Sequence, residues 1–80
     1  MSVLTSHAEI VFTEEGDRTC AEAVLDMGGM HFHGLGVATR APGDPDVPTV
    51  GEELSASRAL FDLAHKLQHA AAARIEKFGD

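Results

Sequence analysis

The feature that most constrains the fold is the pair of adjacent glycines, Gly28 and Gly29, between two runs of strand-forming residues. Both central positions of a type I′ turn need a positive φ angle, which glycine adopts without steric cost. The pair therefore predicts a two-residue β-hairpin turn. Such a turn also sets the register of the strands that it joins, with Met27 opposite Met30 and Leu25 opposite Phe32.

Alternation of apolar and polar side chains predicts one more strand before this hairpin. The expected strands are at about 7–13, 18–27 and 30–41. A four-residue turn at 14–17 joins the first two, and this pairing places Ile10 near Ala21 and Phe12 near Thr19. The sequence therefore predicts a three-stranded antiparallel sheet.

One face of this sheet collects small and apolar residues from all three strands. Its members are Ala8, Ile10, Phe12, Ala21, Ala23, Leu25, Phe32, Gly34, Gly36 and Ala38. Glycine and alanine at the centre of a sheet face indicate that another backbone approaches closely. A helix packed on this face is the prediction.

All three prolines lie in the segment 42–51, which predicts a loop before the helix. Thr49 and Glu52 fit a capping box, so the helix is expected to begin there and to run to about Phe78. At 100° per residue, the stripe expected to cover the sheet consists of Leu60, Leu63, Ala64, Leu67, Ala71, Ile75 and Phe78. The predicted fold is α+β, with the order β-β-β-α, in a single domain over residues 1–80 that begins with a tail at 1–6.

The opposite sheet face is too apolar for a surface that only meets water. Its predicted partner-binding residues are Val11, Cys20, Val24, His31, His33, Leu35 and Val37. Exposed apolar patches of this kind mark interaction sites, so a second subunit is expected to cover this face. We therefore predict a homodimer.

Charge and composition limit the classes of partner. The net charge is −7, with six basic against thirteen acidic residues, so direct binding to nucleic acid or to anionic membranes is not expected. The basic residues of the helix are spread around it, which indicates a solvated surface. No apolar run is long enough to span a membrane, and Met1–Glu9 lacks the pattern of a signal peptide, so the expected location is cytoplasmic.

Candidate catalytic and metal-binding residues form no complete set. His31 and His33 share a strand face, and His65 and His69 share a helix face, so either pair could begin a metal site. The sheet and the helix separate the two pairs within one chain, and exposed histidines without metal are the preferred interpretation. Cys20 is the only cysteine and is interpreted as a packing residue. We predict no enzyme activity and no cofactor.

The segment from Gly34 to Leu67 resembles a family of small actinobacterial proteins of unknown function, known in mycobacteria from the hypoxia and dormancy response. The resemblance rests on a Gly-x-Gly-x-Ala strand, an Asp-Val-Pro loop and a Gly-Glu-Glu-Leu-Ser helix start. It implies a fold like that of double-stranded-RNA-binding domains without their first helix, and it implies dimers. Glu52 and Glu53 occupy the place where those domains present lysines to phosphates, and this argues against direct RNA binding.

The leading hypothesis is a dimeric, non-enzymatic accessory protein of stress or dormancy that acts through protein contacts, with the ribosome as the partner that the resemblance implies by fold analogy. One alternative is an RNA-binding module. Another is a metal-binding protein that uses His31 and His33.

Overall fold

A computed structural model describes residues 1–78, which form one antiparallel sheet and one long helix. The elements are β1 (Ala8–Glu15), β2 (Arg18–Met27), β3 (Met30–Thr39) and α1 (Pro48–Phe78). The strand order in the sheet is β1-β2-β3, so β1 and β3 are the two edge strands. The predicted α+β fold of three antiparallel strands followed by one helix is confirmed. None of the helical structure within residues 1–78 is both long and apolar enough to cross a membrane.

The hairpin between β2 and β3 has the geometry that its glycines predict. The φ angles of Gly28 and Gly29 are 58° and 77°. Met27 faces Met30 and Leu25 faces Phe32, as expected from a two-residue turn. This register is confirmed along the whole of both strands.

The hairpin between β1 and β2 differs from the prediction by two residues. Its turn contains only Gly16 and Asp17, with Gly16 at a φ of 62°, instead of four residues. Ile10 therefore faces Ala23, not Ala21. Because side chains alternate with a period of two, the two-residue shift leaves every side chain on the predicted face.

The helix begins earlier than the capping box predicted. Pro48 is the first helical residue, so the segment expected to be a loop up to residue 51 already contains the first turn. Proline suits this position because its fixed φ angle is helical and its missing N–H would have no helical partner. The backbone N–H of Val50 donates to the carbonyl oxygen of Val47 over 3.0 Å. Thr49 thus lies inside the helix, and the predicted capping box is wrong.

The face of α1 that contacts the sheet matches the predicted stripe only in part, because Leu63 is buried and Leu67 packs against the core as expected, but other members do not. The fully buried helical residues are Ser55, Ala59 and Leu63, which lie one turn apart along the helix. Leu60 is 42% exposed and Ile75 is 70% exposed, although both were expected to cover the sheet. The prediction was drawn from apolar periodicity, whereas the closest contact is made at the small side chains of Ser55 and Ala59.

Two glycines of β3 explain why small helical residues face the sheet. A Cβ atom added to Gly34 would lie 2.6 Å from the backbone nitrogen of Leu63 and would overlap the carbonyl oxygen of Ala59. A Cβ on Gly36 would overlap the carbonyl oxygen of Ser55 in the same way. The helix backbone therefore rests directly on β3, as the small residues of this face predicted.

Candidate partner-binding surface

The sheet face turned away from α1, called the open face below, carries every residue predicted to bind a partner. Leu35 is 62% exposed, Val11 is 54% exposed and Val37 is 38% exposed. Cys20 and Val24 are half-buried by their neighbours in the sheet, and His31 and His33 are exposed. The predicted residues therefore do lie together on one surface.

Strand pairing arranges these side chains in rows across the open face. Val11 of β1 faces Glu22 of β2, which in turn faces Leu35 of β3. The next row places Cys20 beside Val37. Aliphatic groups thus form a continuous patch near the centre of the sheet, and only the Glu22 carboxylate interrupts it.

The histidines of the open face lie beside carboxylates, toward the hairpin formed by β2 and β3. His31 Nδ1 contacts the carboxylate of Asp26, its cross-strand neighbour. His33 Nδ1 lies 3.2 Å from Oε2 of Glu22. These polar groups satisfy one another and form a polar border to the aliphatic patch.

A metal site needs more ligands than either histidine pair supplies. The ring centroids of His31 and His33 are 6.2 Å apart, and the Nε2 atoms of His65 and His69 are 3.1 Å apart. Zinc sites in proteins use at least three protein ligands. Within residues 1–78, no group of three or more His, Cys, Asp or Glu side chains is arranged to hold a metal ion.

Sequence reasoning missed a recess between the sheet and the start of α1. Its volume is about 350 Å³, and apolar side chains such as Val50 and Leu54 line one side of it. The backbone N–H of Ala41 and the guanidinium of Arg40 both donate to Asp44 over 3.2 Å, which folds the loop over the recess. Carboxylates outnumber Arg40 around this recess, so it disfavours anionic ligands. In the sequence, the only indication of this recess is the pair of aspartates beside prolines in the loop, Asp44 and Asp46.

Side chains of α1 cover the outer edge of β3, which sequence reasoning also missed. Arg58 donates to the carbonyl oxygen of Val37 over 2.6 Å, and Lys66 donates to that of His33 over 2.7 Å. Between them, Asp62 accepts a hydrogen bond of 2.9 Å from the backbone N–H of Leu35. Arg58, Asp62 and Lys66 are spaced four residues apart, so one side of the helix meets the edge. Arg58 and Lys66 remain exposed, as expected of a solvated surface, but their bonds to the strand were not predicted.

The pKa of Asp62, the acidic residue between Arg58 and Lys66, is shifted. The hydrogen bond from the Leu35 backbone, helped by Lys66 at 3.3 Å, lowers the pKa of the Asp62 carboxyl below its ordinary value of 3.8. Both partners stabilise the charged form of the carboxylate. Asp62 is therefore ionised at neutral pH, and its carboxylate accepts the hydrogen bond from the outward-facing N–H of Leu35 at the edge of β3.

These features define a small sheet-and-helix protein with one open sheet face. A family model described as Rv2632c-like matches residues 4–80. The chain belongs to the Rv2632c-like family.

Relatives in mycobacteria share both sequence and structure with this chain. It is 38% identical over 63 residues to the uncharacterized protein Rv2632c of Mycobacterium tuberculosis H37Rv, covering 79% of this chain and 68% of that protein. It is 37% identical over 59 residues to the uncharacterized protein Mb1767 of Mycobacterium bovis, covering 74% of this chain and 63% of the other. The crystal structure of Rv2632c matches with a TM-score of 0.90 at 34% identity, covering 96% of this chain and 92% of the other.

Proposed function

We propose that the chain is a non-enzymatic accessory protein that works as a homodimer and binds a protein partner through its open face. The observation that carries this proposal is the exposed aliphatic patch formed by Val11, Leu35 and Val37. Branched aliphatic side chains gathered on one face gain free energy when a partner removes them from water. The half-buried Val24 and Cys20 continue the same patch.

The polar groups of the open face support binding over catalysis. His31 and His33 each face a carboxylate, and the Cys20 thiol has no histidine hydrogen-bonded to it within residues 1–78. A catalytic thiol needs an adjacent base or another group that lowers its pKa. Histidine–carboxylate pairs at the border of an aliphatic patch instead suit recognition of a partner with polar groups around an apolar centre.

The resemblance to dormancy-associated proteins makes the ribosome of stressed cells the first partner to test, with the cytoplasm as the site of action. A protein component of the ribosome fits better than its RNA, because the net charge of the chain is −7. Glu52 and Glu53 lie in the second turn of α1, where they would repel phosphate groups.

Co-sedimentation with ribosomes from starved or hypoxic cells tests this proposal. The native chain is expected in the ribosomal fraction, and Leu35→Lys is expected to move it to the free fraction by placing a charge in the patch. Ile75→Lys is the matched control, because Ile75 is also an exposed aliphatic residue, at 70%, but lies on α1. A native chain found only in the free fraction would rule out the ribosome as the partner.

The metal-binding alternative has a narrower basis, namely the exposed and neighbouring rings of His31 and His33. It predicts that the protein purified without chelator retains zinc or copper in a fixed ratio. Replacing both histidines with alanine should then abolish retention, while replacing His65 and His69 should not. Protein that carries no metal in the native form would remove this alternative.

A further inference from the structure

The two edges of the sheet are treated differently by the rest of the molecule. Helical side chains occupy three backbone groups on the outer edge of β3, those of His33, Leu35 and Val37. No hydrogen bond within residues 1–78 reaches the outer edge of β1. A strand edge with free N–H and C=O groups is a template for another strand.

Strand pairing shows, for each residue of β3 and β2, whether its backbone N–H and C=O groups point toward the neighbouring strand or away from it. In an antiparallel pair, residues alternate between hydrogen-bonded and non-hydrogen-bonded positions. The backbone groups of Leu35 point out toward α1 side chains, so its partner Glu22 turns its own groups away from β3 and toward β1. Glu22 then bonds to Val11, its partner on β1.

The same alternation fixes the free groups of β1. Because Val11 bonds inward to β2, its neighbours Ile10 and Phe12 present their N–H and C=O groups outward, as do Ala8 and Glu14. Four residues of one strand therefore offer a continuous, regularly spaced ladder of unpaired groups.

Side chains on β1 do not protect this edge. The helix packs mainly on β3 and β2 and has few contacts with β1. Phe12 on the helix side is 39% exposed, and Val11 on the open face is 54% exposed. The strand contains no lysine or proline, and its three carboxylates, Glu9, Glu14 and Glu15, lie toward its two ends, so its centre carries none of the residues that commonly keep edge strands from pairing.

We propose that β1 of a second copy of this chain pairs antiparallel with β1, with the two-fold axis passing beside Val11. The inference rests on the proposed function, because it names the interface of the proposed homodimer. In this register Ile10 faces Phe12 of the other copy and Glu9 faces Thr13. Glu14 faces Ala8, so no carboxylate is placed directly opposite another. Edge strands with like charges directly opposite would repel, and this register avoids them.

The pairing would double the surface available to a partner. A two-fold axis perpendicular to the sheet keeps both open faces on one side and both helices on the other. The six strands then present the two patches around Val11 as one continuous surface. The partner-binding role of the open face is retained, and the dimer contact lies at its edge.

Cysteine cross-linking tests the register. Val11 would form a non-hydrogen-bonded pair across the axis, with Cα atoms about 4.5 Å apart, which lies within the range of about 4.4 to 6.8 Å that a disulfide needs. Val11→Cys in a Cys20→Ala background is expected to form a disulfide-linked dimer on mild oxidation with diamide. The Cys20→Ala change prevents a disulfide within one chain.

Thr13→Cys in the same background is the matched control. Thr13 is exposed on the same face of β1, but the two copies of position 13 would be offset by about 14 Å along the strands. This variant is expected to remain unlinked under the same conditions. Equal linking of both variants, or no linking of Val11→Cys, would overturn the register.

Light scattering separates this interface from the partner-binding role of the open face. The native chain is expected to be a dimer, and Val11→Lys, which places two ammonium groups opposite each other and removes two apolar side chains from the contact, is expected to weaken the dimer roughly 10-fold. Leu35→Lys should remain a dimer and lose only ribosome binding. A native monomer, a dimeric Val11→Lys protein or a monomeric Leu35→Lys protein would each contradict pairing through β1. A native chain that does not bind ribosomes would instead contradict the proposed function without contradicting the dimer.

Discussion

The two faces of the sheet differ in how much their residues are constrained by packing. On the helix side, Gly34 and Gly36 leave no space for even one more carbon atom, because the backbone of α1 lies against them. On the open face, Leu35 between these two glycines projects into solvent and is 62% exposed. Adjacent residues of one strand are thus constrained differently: the glycines by contact with α1, and Leu35 by exposure to solvent. The first face accounts for the fold, and the second is free to serve binding.

This contrast predicts very different responses to substitution along the same strand. Side chains on the helix side should control the free energy of unfolding and have little direct effect on binding. Side chains on the open face should do the reverse. The following substitutions test the contrast, beginning with the largest expected effect.

Gly34→Ala is expected to destabilise the protein by about 3 kcal/mol, because the new methyl group forces α1 away from the sheet. In a domain of this size that corresponds to a fall in Tm of roughly 12–24 °C. Chemical denaturation followed by circular dichroism measures the change. Leu35→Ala, one residue along the strand, is the control and should alter stability far less. A Gly34→Ala protein as stable as the native chain would show that the helix does not rest on β3 as closely as described.

Leu63→Ala is expected to cost about 2–3 kcal/mol, since Leu63 is only 4% exposed and its loss leaves a cavity under the helix. Leu60→Ala should cost less than about 1 kcal/mol because that side chain is already 42% exposed. The comparison distinguishes the observed contact row from the stripe predicted from hydrophobicity. Equal losses for the two leucines would favour the predicted stripe.

Asp62→Asn is expected to destabilise the protein less than Leu63→Ala does, and only above acidic pH. The pKa of Asp62 is lowered in the folded state, so its contribution is present above its ordinary value of 3.8 and is lost as the pH falls through the lower folded value. The stability difference between the native chain and the variant should therefore shrink as the pH is lowered below 3.8. Denaturation curves at several pH values measure it. A difference that stays constant as the pH is lowered through this acidic range would exclude the charged hydrogen bond as its cause.

Leu35→Ser is expected to change the free energy of unfolding by no more than about 0.5 kcal/mol, because the side chain makes its contacts with solvent. Binding to the partner, measured by co-sedimentation, should fall in the same variant. A large loss of stability would instead show that Leu35 is needed for the fold.

Much of the fold is readable from the sequence because a few residues leave little choice. Gly28 and Gly29 determine a turn, the turn determines a register, and the register gathers the small residues on one face. The prediction for the first hairpin is wrong by two residues because it places Glu14 and Glu15 in the turn, although they continue β1. In the sequence alone, polar residues at the end of an exposed strand cannot be distinguished from the residues of a turn.

The helix contact and the edge of β3 were harder to predict for a different reason. Hydrophobicity ranked Leu60 above Ser55, yet a close helix–sheet contact selects for small size. The bonds from Arg58 and Lys66 to strand carbonyls depend on the angle at which α1 crosses β3, which the spacing of residues along the chain does not give. The apolar nature of the open face, in contrast, needed only the register.

The strand order β1-β2-β3 has a consequence for the speed of folding. Each strand pairs with its neighbour in sequence through a turn of two residues, and α1 returns directly onto the last strand. Contacts between residues close in sequence need little loop closure, and chains rich in them reach the native state quickly. This meander can therefore form without waiting for a distant segment, and α1, the last element of the chain, then covers its small-residue face.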